Sequence, residues 1–424
     1  MTNARLLAVK ALSKVNSEKA YSNITLDKFF SENNINEKDK ALATALFYGV
    51  LDRKITLDFV ISKYSKLPIK KISSLTIEAI RIALFQLMFM EKIPESAAVN
   101  ESVNIIKVSK EGRNSGFVNA VLRNYLRNPI ELPKGNSPYE LSIRFSCPED
   151  IIKSFISDYG IDDTIKLLEA SLNSPPVTVR VNTLKSSAKE LREKFMQDGI
   201  CADECSDINA ALNIIGGIDF KNNILYKNGA FHVQDLASQK AIEKLGLKPD
   251  ERVLDLCAAP GGKSFTMAEI MENKGEVLAL DIYEKRVTLI ENGAKRLGIS
   301  IIKTAVGDAS VYNSNLGKFD AVLCDVPCSG LGVLRRKPEI KYKPIEDYSD
   351  LEEIQFKILN NSVKYLKSTG RILYSTCTLR KNENENIVNK FLEENKDFIL
   401  SYQHTFMPHT DNTDGFFCAL LLKK

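Results

Sequence analysis

None of the eight cysteines forms a CxxC pair, and there are only three histidines, His232, His404 and His409. A structural zinc site draws on closely spaced Cys and His ligands, so no metal is expected. Cys201/Cys205 and Cys324/Cys328 share a CxxxC spacing, but no histidine lies near either pair. A membrane span is missing as well. The most apolar helical stretch, TIEAIRIALFQLMFM (76–90), is interrupted by Glu78, Arg81 and Gln86 and falls short of the roughly 20 apolar residues a span needs. The opening MTNARLLAVKALSKV is amphipathic but shows no cleavage site, and its spacing continues as in an ordinary core helix. Thiols without a secretion signal point to a reduced, cytoplasmic protein rather than a disulfide scaffold.

A large net charge is also lacking, since the whole chain carries only +4. Its placement is uneven, however. Residues 1–130 hold 20 Lys+Arg and 12 Asp+Glu, a net of +8, whereas the remainder comes to −4. A basic front end suggests a polyanionic partner, against the plainer reading of a lysine-rich solvated surface. At 424 residues, 44% hydrophobic and 26% charged, the chain reads as a soluble protein of two or three domains.

Periodicity divides the chain. Residues 1–128 read as helices, with apolar positions at helical spacing in KALATALFYGVLDRKITLDFVI and GFVNAVLRNYLRN, separated by SENNINEKD, Leu67-Pro68 and a stop at Asn128-Pro129. ELPKGNSP (131–138) is a linker. Residues 136–230 read as a small α/β subdomain, in which VTVRVN alternates like a strand and SSAKELREKFMQDG follows as a helix. Residues 231–424 alternate strand and helix more strongly, through VLDLC, EVLALDI, IIKTAV, FDAVLCD and RILYSTC. That pattern predicts a doubly wound parallel sheet, whose ligand lies at the carboxyl ends of the strands.

Those strand ends carry the candidate chemistry. The first is CAAPGGKS (257–264). It resembles a phosphate-binding loop, but that motif requires glycine where Cys257 stands, and Pro260 lies within it. GxGxxG is likewise absent, which argues against a dinucleotide site. The loop is better read as one that approaches a nucleoside and an amino-acid moiety. Asp281, about twenty residues on, is where a nucleotide-type fold places a carboxylate for ribose hydroxyls. Asp308 in VGDAS is a second strand-end acid. Either alone also reads as a cap or surface acid. Cys257 and Cys324 read as packing residues. Cys328 in DVPCSG and Cys377 in STCT differ, because both fall in loops at the ligand edge beside Asp325. The basic run LRRKPEIKYK (334–343) is either placed to contact phosphates or is a solvated loop.

In this order and at these intervals, DLCAAPGGK, LALDI, VGDAS, DVPCSG and YSTCT resemble the S-adenosylmethionine-dependent RNA cytosine-C5 methyltransferases. IPESAAVNESVNIIK and GFVNAVLRN resemble the helical NusB-type RNA-binding domain. Together they are similar to the bacterial 16S rRNA methyltransferases of the RsmB (Sun) family, over nearly the whole chain. The resemblance implies an all-α NusB-like domain (1–135), a small α/β linker subdomain (136–230) and a Rossmann-like class I methyltransferase domain (231–424). It implies S-adenosylmethionine held by Cys257, Ala258, Ala259, Pro260, Gly261, Gly262, Lys263, Asp281, Asp308 and Asp325. It further implies Cys377 as the nucleophile, Cys328 as an aid to product release, and Asp325 facing both cofactor and base. The expected substrate is 16S rRNA, free or in a partly assembled small subunit, modified at cytosine 967. No metal and no membrane are expected, and the protein is expected to be a monomer. A tRNA-directed relative, or a catalytically silent ribosome-assembly factor, would share much of this pattern.

Overall fold

Short polar side chains start several of the helices in the computed structural model, which describes residues 4–18, 22–33 and 35–424. The first three residues and Asn34 of the SENNINEKD break lie outside the described residues. Asn36 caps Glu37–Tyr64 by accepting from the Asp39 N–H at 2.9 Å. Ser137 and Glu140 form a reciprocal capping box at Pro138–Phe145. The chain divides into two compact units. One is Met1–Leu172 with Lys337–Lys343, and the other is Asn173–Arg336 with Pro344–Lys424.

The first unit is helical, around a core that includes Leu46, Phe47, Ile80, Leu84 and Leu122. Helix Ser74–Phe89 is the stretch with the most apolar sequence, and it is buried nearly all round. The charges that interrupt it are paired inside the bundle. Arg81 Nη1 donates to Glu78 at 2.6 Å and Nε to Asp58 at 2.7 Å. No helix among the described residues is long and apolar enough to cross a membrane. Helix Ser115–Arg127 stops before Asn128-Pro129, as the proline predicts.

The division between the two compact units falls within the stretch expected as the small α/β subdomain. Helices Pro138–Phe145 and Glu149–Ser171 belong with the first unit, and the division comes after Leu172. Thr56 Oγ1 donates to the Ile143 carbonyl at 2.6 Å, and the Ile55 N–H donates to Ser146 Oγ at 2.9 Å. Such docking contacts leave no mark in composition, whereas the Pro/Gly-rich stretch at 131–138 does.

The second unit has two sheets. β1 (Val177–Val181), β2 (Cys201–Glu204), β3 (Ala211–Ile215) and β4 (Phe231–Val233) form an antiparallel sheet in the order β2-β3-β1-β4. It belongs to the same compact unit as the larger sheet. The larger sheet contains β5 (Arg252–Asp255), β6 (Glu276–Asp281), β7 (Ile302–Val306), β8 (Phe319–Asp325), β9 (Leu366–Thr376), β10 (Phe398–Phe406) and β11 (Phe416–Lys423). Its order is β10-β11-β9-β8-β5-β6-β7. β7 through β9 pair in parallel, while β11 pairs antiparallel with both β9 and β10. The sheet is therefore mixed rather than wholly parallel. β10 is an edge strand with mostly exposed or half-buried residues, which explains its weak apolar signal. The chain reverses its winding between β5 and β8, which opens a crevice at their carboxyl ends.

Beneath that crevice the small sheet meets helix Gly262–Ile270. Arg180 on β1 donates to Glu269 at 2.8 Å, and both side chains are buried. A charge pair in a dry setting holds only when both partners are present. The helix that follows the glycine loop is thus anchored from below.

Candidate cofactor and thiol site

The glycine loop turns sharply out of β5. The Ala258 N–H donates to the Leu280 carbonyl at 2.7 Å and the Gly261 N–H to the Ala258 carbonyl at 2.8 Å. Gly261 sits at φ 107°, where a side chain is strained, and an added Cβ would fall 2.4 Å from the Phe265 ring. Helix Gly262–Ile270 starts directly after it with no side-chain cap, so its first N–H groups face the crevice side of the loop. Ala258 and Ala259 are buried, Pro260 is exposed, and Cys257 is half-buried. Burial pushes the Cys257 thiol well above its usual range, consistent with a packing role.

Asp281 ends β6 and is almost fully buried. Its carboxylate accepts from the Tyr283 N–H at 3.1 Å and lies 3.2 Å from Arg286. Arg286 also donates to the Ala259 carbonyl at 3.0 Å, which ties the acid to the glycine loop. Ile282, Tyr283, Val306 and Val311 are exposed apolar residues around this edge. Asp308 is exposed, and its carboxylate accepts from the Ser310 N–H and hydroxyl at 2.9 and 2.7 Å.

β8 and β9 bring the remaining candidates together. Asp325 Oδ2 accepts from Lys263 Nζ at 2.7 Å, and Oδ1 accepts from Ser375 Oγ at 2.8 Å. The Sγ atoms of Cys328 and Cys377 are 3.3 Å apart. The 377 turn is pinned by the Gly332 N–H, which donates to the Cys377 carbonyl at 2.9 Å. Burial works against the charge on Lys263, but Asp325 and the Cys377 sulfur outweigh it and raise its pKa. The Cys328 thiol is pushed far above its usual range by its hydrogen bond to Cys377, by burial, and by the charges of Cys377 and Glu383.

Several residues of this site carried no signal as single letters. Asp255, at the end of β5, is buried and accepts from Ser264 Oγ at 2.6 Å. Burial raises its carboxyl to about 7. Ser375 and Glu383 are known only by whom they touch.

The basic run 334–343 is mostly spoken for. Arg335 donates to Asp414 at 2.7 Å, Arg336 pairs with Asp414 and Asp235, and buried Lys341 donates to Asp52 at 2.9 Å. Only Lys337 and Lys343 of its cations are exposed. Neither expected reading of a phosphate-contacting or solvated run therefore covers it, since three of its cations serve as internal anchors. Among the described residues, no group of three or more His, Cys, Asp or Glu side chains could hold a metal ion.

Comparisons with known proteins extend over the whole chain. A family model described as 16S rRNA methyltransferase RsmB/F matches residues 242–422, and the NusB family model matches residues 2–127. A model for the ferredoxin-like domain of RsmF/B-like methyltransferases matches residues 147–221. The probable ribosomal RNA small subunit methyltransferase B of Bacillus subtilis (strain 168) is 34% identical, covering 100% of this chain and 99% of that protein. Ribosomal RNA small subunit methyltransferase B of Photorhabdus laumondii is 31% identical, over 100% and 99%. Among solved structures, PH0851 aligns with a TM-score of 0.85 at 25% identity, covering 100% of this chain and 99% of that one. NSun6 from Pyrococcus horikoshii with SFG aligns with a TM-score of 0.61 at 22% identity over 65% of this chain and 98% of that one, and shows the fold alone.

Proposed function

The chain belongs to the ribosomal RNA small subunit methyltransferase B family, and from that membership we propose that it methylates C5 of a cytosine in 16S rRNA through a covalent cysteine adduct. The family is S-adenosylmethionine-dependent, and the residues at the crevice suit that cofactor. Asp281 offers buried acceptors for a ribose diol, the exposed Ile282 and Val306 offer apolar surface for a flat base, and the uncapped helix start at Gly262 suits a carboxylate. The loop Cys257–Lys263 would line the methionine end, with Asp308 and Asp325 at the two rims. S-adenosylmethionine supplies the electrophilic methyl group.

The observation that carries the reading is the sulfur pair, 3.3 Å apart, beside a carboxylate held by an ammonium. C5 of cytosine is a weak nucleophile. Addition of the Cys377 thiolate to C6 forms an S–C6 bond and moves the ring's π electrons onto C5, which then takes the methyl group. Charge developing toward N3 is met by the Lys263–Asp325 pair, in which the ammonium is the donor. Asp325 itself is not the donor, because both its oxygens already accept hydrogen bonds. Loss of the C5 proton and scission of the S–C6 bond then restore the aromatic ring and the thiolate. Lys263 supports a thiolate at Cys377, while the raised thiol of Cys328 supports a neutral S–H that assists release.

Attack on the ring face requires an unpaired or flipped-out base. The helical first unit would add affinity and choice of site, acting as a monomer in the cytoplasm on free rRNA or a partly assembled subunit. The test is incubation with labelled S-adenosylmethionine and either 16S rRNA or tRNA, followed by mapping of the modified base. Methylation at cytosine 967 of the rRNA is expected. Cys377→Ala should abolish turnover, and Cys328→Ala should leave protein covalently attached to RNA. Preferential labelling of tRNA, or no labelling at all, would overturn the assignment. The reverse behaviour of the two variants would exchange the roles of the cysteines.

A further inference from the structure

Glu383 is a fully buried acid that takes no part in the steps above, yet it lies behind both thiols. Oε2 accepts from the Ser329 N–H at 2.8 Å and from Gln355 Nε2 at 3.0 Å. Oε1 accepts from Ser329 Oγ at 2.6 Å and from Arg380 Nη1 at 3.2 Å. Thr378 Oγ1 lies 2.8 Å from Ser329 Oγ and 3.5 Å from the same Oε1. Ser329 directly follows Cys328, and Thr378 directly follows Cys377. One carboxylate therefore gathers the turn after β8 and the turn after β9.

The acid is itself held firmly. Its carbonyl accepts from buried Tyr374 on β9 at 2.6 Å. The next residue, Asn384, donates to the Thr378 carbonyl at 3.0 Å and accepts from Thr376 Oγ1 at 2.5 Å. A carboxylate in a dry setting is costly unless it is paired and hydrogen-bonded, and here it is both. If the only need were to join two loops, a neutral side chain would do so without a buried charge. A carboxylate differs in two ways. It only accepts, so it can take both the N–H and the O–H of Ser329. It also places a negative charge behind Cys328.

We propose that Glu383 is the positioning residue of the cysteine pair: it sets the two sulfurs at contact distance and keeps Cys328 as the thiol that donates to Cys377. The inference rests on the cysteine roles proposed above, and it adds what makes two chemically identical side chains unequal. Cys328 faces the carboxylate and the neighbouring sulfur, both of which disfavour its ionisation. On the other side of the pair, Cys377 lies near the Lys263 ammonium. Glu383 does not touch the substrate in this account.

The decisive variant is Glu383→Gln, which keeps the shape, removes the charge and turns one acceptor into a donor facing Ser329. Each cysteine is alkylated with iodoacetamide across a pH series, without RNA, and read by peptide mass spectrometry. The expected result is a Cys328 reactivity curve displaced downward by about one pH unit, about tenfold in thiolate at a fixed pH. In the methylation assay kcat falls about tenfold or more, which corresponds to losing roughly 1.4 kcal/mol of barrier lowering, while KM for S-adenosylmethionine is unchanged. Ser329→Ala, which removes one donor and spares the carboxylate, is expected to displace the Cys328 curve upward instead, because the charge behind it is less compensated, with kcat again reduced, and it carries the test if Glu383→Gln does not fold. Folded variants whose two alkylation curves match the wild type overturn the proposal, whatever happens to turnover. A displaced curve with unchanged kcat overturns it as well. Because alkylation involves no RNA, a wild-type protein that fails to methylate cytosine would overturn the function reading and leave this result standing.

Discussion

Replacing Gly332 by alanine should disable the site without touching a reacting atom. Gly332 crosses Gly415 at backbone contact, donating to the Cys377 carbonyl at 2.9 Å and accepting from the Gly415 N–H at 2.8 Å. A Cβ at 332 would lie 2.0 Å from the Gly415 carbonyl oxygen and 2.8 Å from that of Cys377. Ordinary contact needs about 3.5 Å, so the two backbone segments of this crossing must part by more than about 1 Å. Overpacking of this kind costs about 1–3 kcal/mol, and weakening two hydrogen bonds adds about 1 kcal/mol each. The melting temperature should fall by several degrees. The Cys377 turn would move with its carbonyl, and a displacement of about 1 Å at a reacting group costs about a hundredfold in rate. Single-turnover methylation at saturating S-adenosylmethionine measures this, with cofactor affinity as the control for an intact glycine loop. Gly415→Ala should act alike, because its Cβ would meet Gly332 Cα at 2.7 Å. Wild-type rates in both variants would refute the reasoning, since they would mean that the crossing does not position Cys377.

Other consequences can be checked separately. Burial raises the Asp255 carboxyl from 3.8 to about 7, so its stabilising contribution is full below about pH 4 and is lost as pH rises through 7. At about 1.36 kcal/mol per unit this amounts to about 4 kcal/mol. Melting curves from pH 4 to 8 should flatten in Asp255→Asn, and an unaltered slope would count against the assignment. Lys341→Met removes a buried ammonium that donates to the Asp52 carbonyl and carboxylate at 2.7 and 2.9 Å. It should lower stability by about 1–3 kcal/mol, and an unchanged melting temperature would show that the pair contributes nothing. Affinity for rRNA should fall steeply with added salt, because the basic excess lies in the first 130 residues. A salt-independent affinity would exclude a phosphate-led interface.

Much of this architecture is written locally. The helices of the front end follow from apolar spacing, and the stop at Asn128-Pro129 follows from proline geometry. The strand ends that carry Cys257–Lys263, Asp281, Asp308, Asp325, Cys328 and Cys377 follow from apolar runs closed by glycine, acid or thiol. The sequence alone placed these residues at one edge, because in a doubly wound sheet all parallel strands present their carboxyl ends together. Other features have no local signature, because they depend on residues far apart in the chain. The 3.3 Å between two sulfurs 49 positions apart is set by the pairing of β8 with β9 and by Glu383 behind them. The same holds for the division at 172/173, which rests on Thr56 and Ser146, and for the edge strand β10, whose half-exposed residues carry little apolar pattern. The run LRRKPEIKYK reads as free charge until Asp52, Asp235 and Asp414 are brought to it. Residue types and spacings could say which side chains reach the ligand edge, but only the packed chain decides which charges are neutralised there and which thiol keeps its proton.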